Sequence, residues 1–335
     1  MLTLHYEARF GLARGAVYVG ERPHLYMNGL EDDPSLAILG THSIARLKGR
    51  GGGMAFLELA DGSEAILDVL APDLAKLTDG TAVEIVIAAE ARRDKLARAR
   101  LIRAVSGEAV QRLSPVLSLK DRLLAEAKAC FGEINLEIES DENILDEAGD
   151  EAGDEALAPT LGLPGGGFLH IERTRALIAC DVDGAGLSEA RAKTNERALA
   201  EVARRLRLMG LAGLVVVDMI GRSHDDGRIR AALLSAFGAE AASIIPAPTG
   251  KFGTLEFVRP WRVCPPADLS WALRQAGGLM RDAAREAKSR PGRILTLRAP
   301  AEALDIVRPR IDRSLDPLMP LLRLEIGQTC EVIVS

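Results

Sequence analysis

Phe168-Leu169-His170-Ile171-Glu172-Arg173-Thr174-Arg175-Ala176-Leu177-Ile178-Ala179-Cys180-Asp181-Val182-Asp183, followed later by Gly213-Leu214-Val215-Val216-Val217-Asp218, is the part of the chain whose reading decides the fold. Residues 168–172, 176–182 and 214–220 are β-rich apolar runs. Between the last two, Ser188 is placed to cap a helix over 189–209. Leu199, Val202, Ala203, Leu206 and Met209 give that helix one apolar face, and Gly210 and Gly213 end it. Strand, helix and strand in this order make a β–α–β unit with parallel strands. Asp181 then falls at the C-terminal end of one strand and Asp218 at the C-terminal end of the other. Both ends open onto the sheet edge where ligands bind. A carboxylate after an apolar strand is costly unless something compensates it. Magnesium suits the pair, because it takes one or two protein carboxylates and keeps waters or phosphate oxygens. The competing reading is that each aspartate caps a nearby helix or turn.

Upstream, residues 36–104 hold short β runs at 36–47, 54–59, 64–69, 83–89 and 96–102, separated by turns such as Gly51-Gly52-Gly53. That pattern predicts a small closed or nearly closed barrel. Residues 1–35 read as short strands and 117–130 as a helix. Residues 131–160 carry eleven acids and no Lys or Arg, with a Glu-Ala-Gly-Asp repeat at 147–156. Low complexity and like charge predict a solvated, disordered loop over 139–160. Downstream come a helix at 228–237 and a strand pair at 242–246 and 254–258. A small α+β unit follows, with a helix at 269–288, a strand at 293–298, a helix at 301–314 and a last strand at 322–334. The expected class is α+β and multidomain.

The 335 residues leave room for two or three domains, and 47% hydrophobic with 27% charged residues is globular composition. The net charge of −6 becomes +5 once the acids of 131–160 are set aside. That permits an anionic partner without demanding one. No apolar run is long enough to span a bilayer, and the N-terminus does not read as a secretory signal. The expectation is a cytoplasmic protein without a membrane partner. Cys130, Cys180, Cys264 and Cys330 are scattered, which excludes a zinc knuckle or a redox CxxC. His170, inside an apolar strand, reads as a satisfied core histidine.

The stretch 166–183 resembles the catalytic region of the ribonuclease E/G family. So do Lys193-Thr194-Asn195, Glu201-Val202-Ala203-Arg204-Arg205-Leu206-Arg207-Leu208, Gly213 to Ile220, and Lys251-Phe252-Gly253-Thr254-Leu255-Glu256-Phe257-Val258-Arg259. These blocks occur in family order and nearly at family spacing. The resemblance implies an RNase-H-like subdomain split between 1–35 and 105–175, and an inserted OB-fold RNA-binding barrel at 36–104. It also implies a DNase-I-like catalytic subdomain at 176–260 and a small C-terminal domain at 261–335. By resemblance, Asp181 and Asp218 hold Mg2+, and Asp183 stands where the family has an asparagine that orients the attacking water. The implied activity is cleavage of single-stranded RNA by metal-activated water, leaving a 5′-phosphate and a 3′-hydroxyl, in RNA processing or decay.

Other residues can be matched to RNA binding. Phe56 reads as a stacking aromatic or as core, and Lys95 as a phosphate contact. Lys193 and Asn195 lie in the family's helix start. Arg204, with Arg205 and Arg207, reads as a phosphate contact or as a solvated helix face. Two family features are missing. The zinc-link motif is reduced to Cys264-Pro265-Pro266-Ala267, so neither zinc nor a zinc-linked dimer is expected and the oligomeric state stays open. The Arg-Thr pair that senses an RNA 5′-end has no counterpart between barrel and catalytic region. Those losses motivate an alternative, a non-catalytic descendant that binds RNA or protein. Asp181-Val182-Asp183-Gly184 also resembles the first motif of haloacid-dehalogenase-type phosphatases. Ala185 stands where that motif has threonine, however, and no later strand ends in paired aspartates.

Overall fold

β1 (Leu2–Arg9), β2 (Leu12–Val19) and β3 (Arg22–Leu30) form an antiparallel meander at the N-terminus. β4 (His42–Gly51), β5 (Met54–Glu58), β6 (Glu64–Asp68), β7 (Ala82–Ala89) and β8 (Ala97–Val105) follow. They pair in the order β5–β6–β8–β7–β4, and β4 returns to β5, which closes a five-stranded barrel. β9 (Gln111–Arg112) hangs on β4. Alternation dictates the closure: Leu47, Ala55, Leu57, Leu67, Val83, Ile85 and Ala97 point inward and fill it. This computed structural model describes residues 1–68, 77–93, 95–105, 107, 109–133, 135–184, 191–311 and 318–335, apart from the side chain of Met319. Ser188, the expected helix cap, lies outside the described residues.

α1 (Leu119–Phe131) is capped by Ser118, whose hydroxyl accepts from the Asp121 N–H at 3.1 Å. Its Leu119, Leu123, Ala127 and Cys130 pack on Leu4, Val17, Leu25 and Met27, one face of the meander. β10 (Leu136–Ile138) then joins β1 in parallel.

The acidic stretch corrects the sequence reading. It is not a disordered loop over 139–160; residues Glu142–Leu157 form a four-turn helix, α2, on the other face of the same sheet. The Asp141 carboxylate caps it, accepting from the Asn143 N–H at 2.9 Å. The repeat is a small-residue stripe. Ala148, Ala152 and Ala156 are buried against Ala16, Tyr18 and Tyr26. Gly149 and Gly153 let Arg14 and Tyr26 close in: a Cβ on Gly149 would lie 2.5 Å from Arg14 Nε, and one on Gly153 3.0 Å from Tyr26 Oη. The acids are neutralised rather than solvated. Asp146 and Asp150 both pair with buried Arg14 and with Arg285, at 2.8 and 2.6 Å for Asp146, and Glu155 pairs with Arg204 and Arg205.

This arrangement has a pH signature. The hydrogen bond from Arg285 and then the Arg14 charge hold the Asp146 carboxyl below its usual 3.8. The stabilisation is therefore fully present above that value and is lost as pH falls below about 4. We expect the urea midpoint of Asp146→Asn to fall less over that range than that of the wild type; parallel pH profiles would refute the pairing.

β11 (Thr160–Gly162), β12 (Phe168–Arg173), β13 (Ile178–Asp183), β14 (Gly213–Asp218), β15 (Ile245–Pro246) and β16 (Thr254–Arg259) make the second large sheet. Its order is β11–β12–β13–β14–β16–β15. β13 and β14 are parallel, as expected, and the remaining pairs are antiparallel. Because β11 and β12 belong to this sheet, the expected boundary at 175 is corrected: the division falls between α2 and β11. α3 (Arg191–Leu208) and α4 (Asp226–Phe237) cover one face, over Ile178, Cys180, Val182, Val215, Val217, Leu255 and Phe257.

α5 (Trp271–Ser289) and α6 (Ala301–Ile311) pack on a three-stranded sheet of β17 (Leu295–Ala299), β18 (Leu322–Ile326) and β19 (Glu331–Val334). The single last strand expected at 322–334 is thus two, split at Gly327, one parallel and one antiparallel to β17. Phe10 and Leu12 enter this core and tie it to the N-terminal sheet. No helix of the described residues is long and apolar enough to cross a membrane.

Candidate active site

The uncovered face of the six-stranded sheet carries the carboxylates. In β13 the alternation buries Ile178, Cys180 and Val182 and exposes Asp181 and Asp183. In β14 it buries Val215 and Val217 and exposes Asp218. Asp181 and Asp218 are direct register partners across the parallel pair, so both side chains leave the same face from neighbouring strands, about 4.8 Å apart. The same row extends to His170 on β12 and Thr254 on β16. Asp183 is two residues further along the same face, opposite Phe168.

Among the described residues, neither Asp181 nor Asp218 caps a helix, accepts a hydrogen bond or pairs with a base. Among the described residues, then, the capping alternative finds no partner for either carboxylate. Two adjacent like charges without compensation suit a divalent cation that needs few protein ligands. No group of three or more His, Cys, Asp or Glu side chains that could hold a metal converges among the described residues. Asp225, by contrast, caps α4 through the Arg228 N–H at 3.1 Å, and Asp226 accepts from the Thr249 N–H at 2.8 Å. Those two aspartates serve structure, not a phosphatase motif.

Asn195 is buried, 1% exposed, and clamps the loop after β14. Its Nδ2 donates to the Ile220 carbonyl at 3.1 Å, and its Oδ1 accepts from the Ile220 N–H at 3.0 Å. These bonds hold Ile220, two positions beyond Asp218, and leave the Asn195 side chain off the surface where the expected RNA contact would lie. Arg204 needs the same correction. It is 3% exposed, bonded to Glu155 and Glu201 and donating to the Pro23 carbonyl at 2.8 Å. α3 is wedged between the N-terminal sheet with α2 and the six-stranded β11–β16 sheet, which is why its arginines are enclosed. Lys193 is exposed near the start of α3.

On the barrel, Phe56 is half-buried and Lys95 is exposed in the Arg92–Lys95 turn. Sequence reasoning missed their neighbours: the Ala-Arg-Ala-Arg alternation of β8 turns Arg98 and Arg100 outward, and Arg98 continues the row Phe56–Ile66–Arg98. It also misplaced His170, which is half-buried on the open face, its Nδ1 2.9 Å from Thr160 Oγ1. The signal was the alternation Phe168, His170, Glu172. The barrel is docked firmly: Glu90 joins the Arg262 carbonyl and the Cys264 N–H at 2.8 and 2.9 Å, and the Arg92 guanidinium lies 4.3 Å from the Trp261 ring centroid. Burial and then the Glu90 and Asp268 carboxylates push the Cys264 thiol up to about 12. A cavity of about 600 Å³ lies elsewhere, between the N-terminal sheet, α2 and α5, and contains none of the carboxylates of the row.

The sequence model of the Ribonuclease E/G family matches residues 87–262, just over half of the chain. The matched region runs from the end of the barrel through α3 and both aspartates to the residue after Trp261. Ribonuclease E of a Nostoc species is 45% identical over 71 residues, covering 19% of this chain and 10% of the relative. Ribonuclease E of Escherichia coli is 34% identical over 105 residues, 29% of this chain and 10% of the relative. Ribonuclease G of Haemophilus influenzae is 29% identical over 131 residues, 33% and 27% respectively. The chain thus spans between a tenth and about a quarter of the length of these relatives.

Proposed function

The chain belongs to the ribonuclease E/G family, and from that premise we propose that it is a magnesium-dependent endoribonuclease acting on single-stranded RNA. The observation that carries the reading is the pair Asp181 and Asp218, in register on the uncovered sheet face and without a partner among the described residues. These two carboxylates would hold the cation. When bound, magnesium neutralises charge on the scissile phosphate and lowers the pKa of a water. Asp183, on the same face, stands where the family has an asparagine and would help to orient the attacking water. Asn195 keeps the Asp218 loop in place through Ile220. The products are a 5′-phosphate and a 3′-hydroxyl, with no covalent enzyme intermediate.

The N-terminal sheet with α1 and α2 takes the RNase-H-like role, the barrel the OB-fold role, and the six-stranded sheet the DNase-I-like role. Phe56, with Arg98 and Arg100 beside it, offers a ring and a basic row to unpaired RNA. Neither zinc nor a zinc-linked dimer enters this reading, and the site of action is the cytoplasm.

Internally labelled single-stranded RNA, incubated with magnesium or with EDTA, tests it. Magnesium-dependent internal cuts bearing 5′-phosphates are expected. Binding without cuts would convert the assignment to a non-catalytic RNA-binding descendant.

A further inference from the structure

Next to the carboxylates, a tight turn presents an aromatic ring to water. Phe252 is 84% exposed, the highest value for a large apolar side chain among the described residues. Leaving a phenylalanine uncovered forgoes roughly 1.5–3 kcal/mol of burial, so an exposed ring in a well-ordered turn asks for a partner.

The turn cannot fold the ring away. The Gly253 N–H donates to the Gly250 carbonyl at 3.1 Å, and the Gly250 N–H to the Thr254 carbonyl at 2.8 Å. Thr249 is held by Asp226. Gly253 has φ +93°, and a Cβ there would stand 2.2 Å from the Gly221 carbonyl oxygen, so the turn is pressed against the loop that follows Asp218. That loop is the one Asn195 clamps. Two residues after Phe252, Thr254 is the register partner of Asp218. The ring is therefore fixed relative to the carboxylate row. On the opposite flank Phe168, 48% exposed, is the register partner of Asp183. β12 and β16 are separated by β13 and β14, three strand spacings or about 14 Å.

We infer that Phe252 and Phe168 are stacking platforms for the bases on either side of the scissile phosphate. The inference rests on the ribonuclease reading and adds the residues of that same site that would hold the bases beside the cut. Stacking accepts any base, because each has a π-face, but it requires a base that is unpaired and splayed. Two rings bracketing the carboxylates thus select single-stranded RNA by shape and not by sequence. Aromatics are only 4% of the chain, and two of them stand here, Phe252 uncovered and Phe168 half-exposed beside the His170 ring.

The test uses the full chain and a single-stranded RNA with a mapped cut. Phe252→Ala is expected to raise KM about tenfold, within the roughly 5- to 150-fold that the loss of one stacked base produces, with a much smaller change in kcat. Phe252→Trp should restore KM. In the Asp218→Asn background, 2-aminopurine beside the cut should be quenched on binding, and Phe252→Ala should abolish the quench. If wild type cleaves but Phe252→Ala leaves KM and quench unchanged, the platform is refuted and the ribonuclease reading stands. If wild type neither cleaves nor binds RNA, the reading itself falls and takes the platform with it.

Discussion

Asp181→Asn and Asp218→Asn, made singly, should each lower magnesium-dependent cleavage of single-stranded RNA by roughly 10²–10³-fold. Asparagine keeps the size of the side chain and removes one of two negative charges that would hold the cation. Charge stabilisation by a bound metal is worth several kcal/mol, and each 1.4 kcal/mol is tenfold in rate. Stability should move the other way or not at all. Neither carboxylate makes a hydrogen bond or ion pair among the described residues, and the two are like-charged neighbours, so neutralising one relieves repulsion. The decisive measurement is therefore paired: cleavage rate and thermal midpoint on the same preparations. A large rate loss at an unchanged or raised midpoint supports the two-carboxylate site. An unchanged rate in both variants would move the chemistry elsewhere.

The largest expected stability effect lies behind the sheet, at Glu240. Its carboxylate accepts from Arg207 Nε at 2.5 Å and from Arg259 Nη2 and Nε at 2.6 and 3.1 Å. All three side chains are buried. Arg259 also donates to the Leu211 carbonyl at 2.8 Å, and Arg207 to the carbonyls of Ala236 and Phe237. The cluster ties the 3₁₀ turn at Gly238–Ser243 to α3 and to β16. Glu240→Gln leaves two guanidinium charges enclosed without their counter-charge, so it should cost about 3–5 kcal/mol, the usual penalty for breaking a buried pair from one side. Urea unfolding at neutral pH measures this. A loss under about 1 kcal/mol would mean that water reaches the cluster and screens it.

The β13–α3–β14 unit was legible because its signals are local. Apolar strands ending in Asp181 and Asp218, with a 3.6-residue apolar period between them, need no knowledge of the remaining chain. The barrel was legible for the same reason, from alternation and glycine turns. α2 was not, because periodicity is read from large apolar side chains and its buried stripe is Ala148, Ala152 and Ala156 flanked by glycines. Its charges looked self-repelling because Arg14, Arg204, Arg205 and Arg285, which balance them, lie 49 to 139 positions away. Arg204 was misjudged by the same blindness: a cationic helix face signals solvent only if nothing packs on it.

The sequence by itself determined the strand–helix–strand order, the positions of the two aspartates at strand ends and the family, since all three depend on residue types at short spacing. Only the tertiary structure decided that the aspartates are register partners, that the acidic repeat is a close-packed helix and that Phe252 stands uncovered beside the carboxylates. Those facts depend on which distant segments meet, and pairing across a sheet or an interface leaves no periodic mark in the chain.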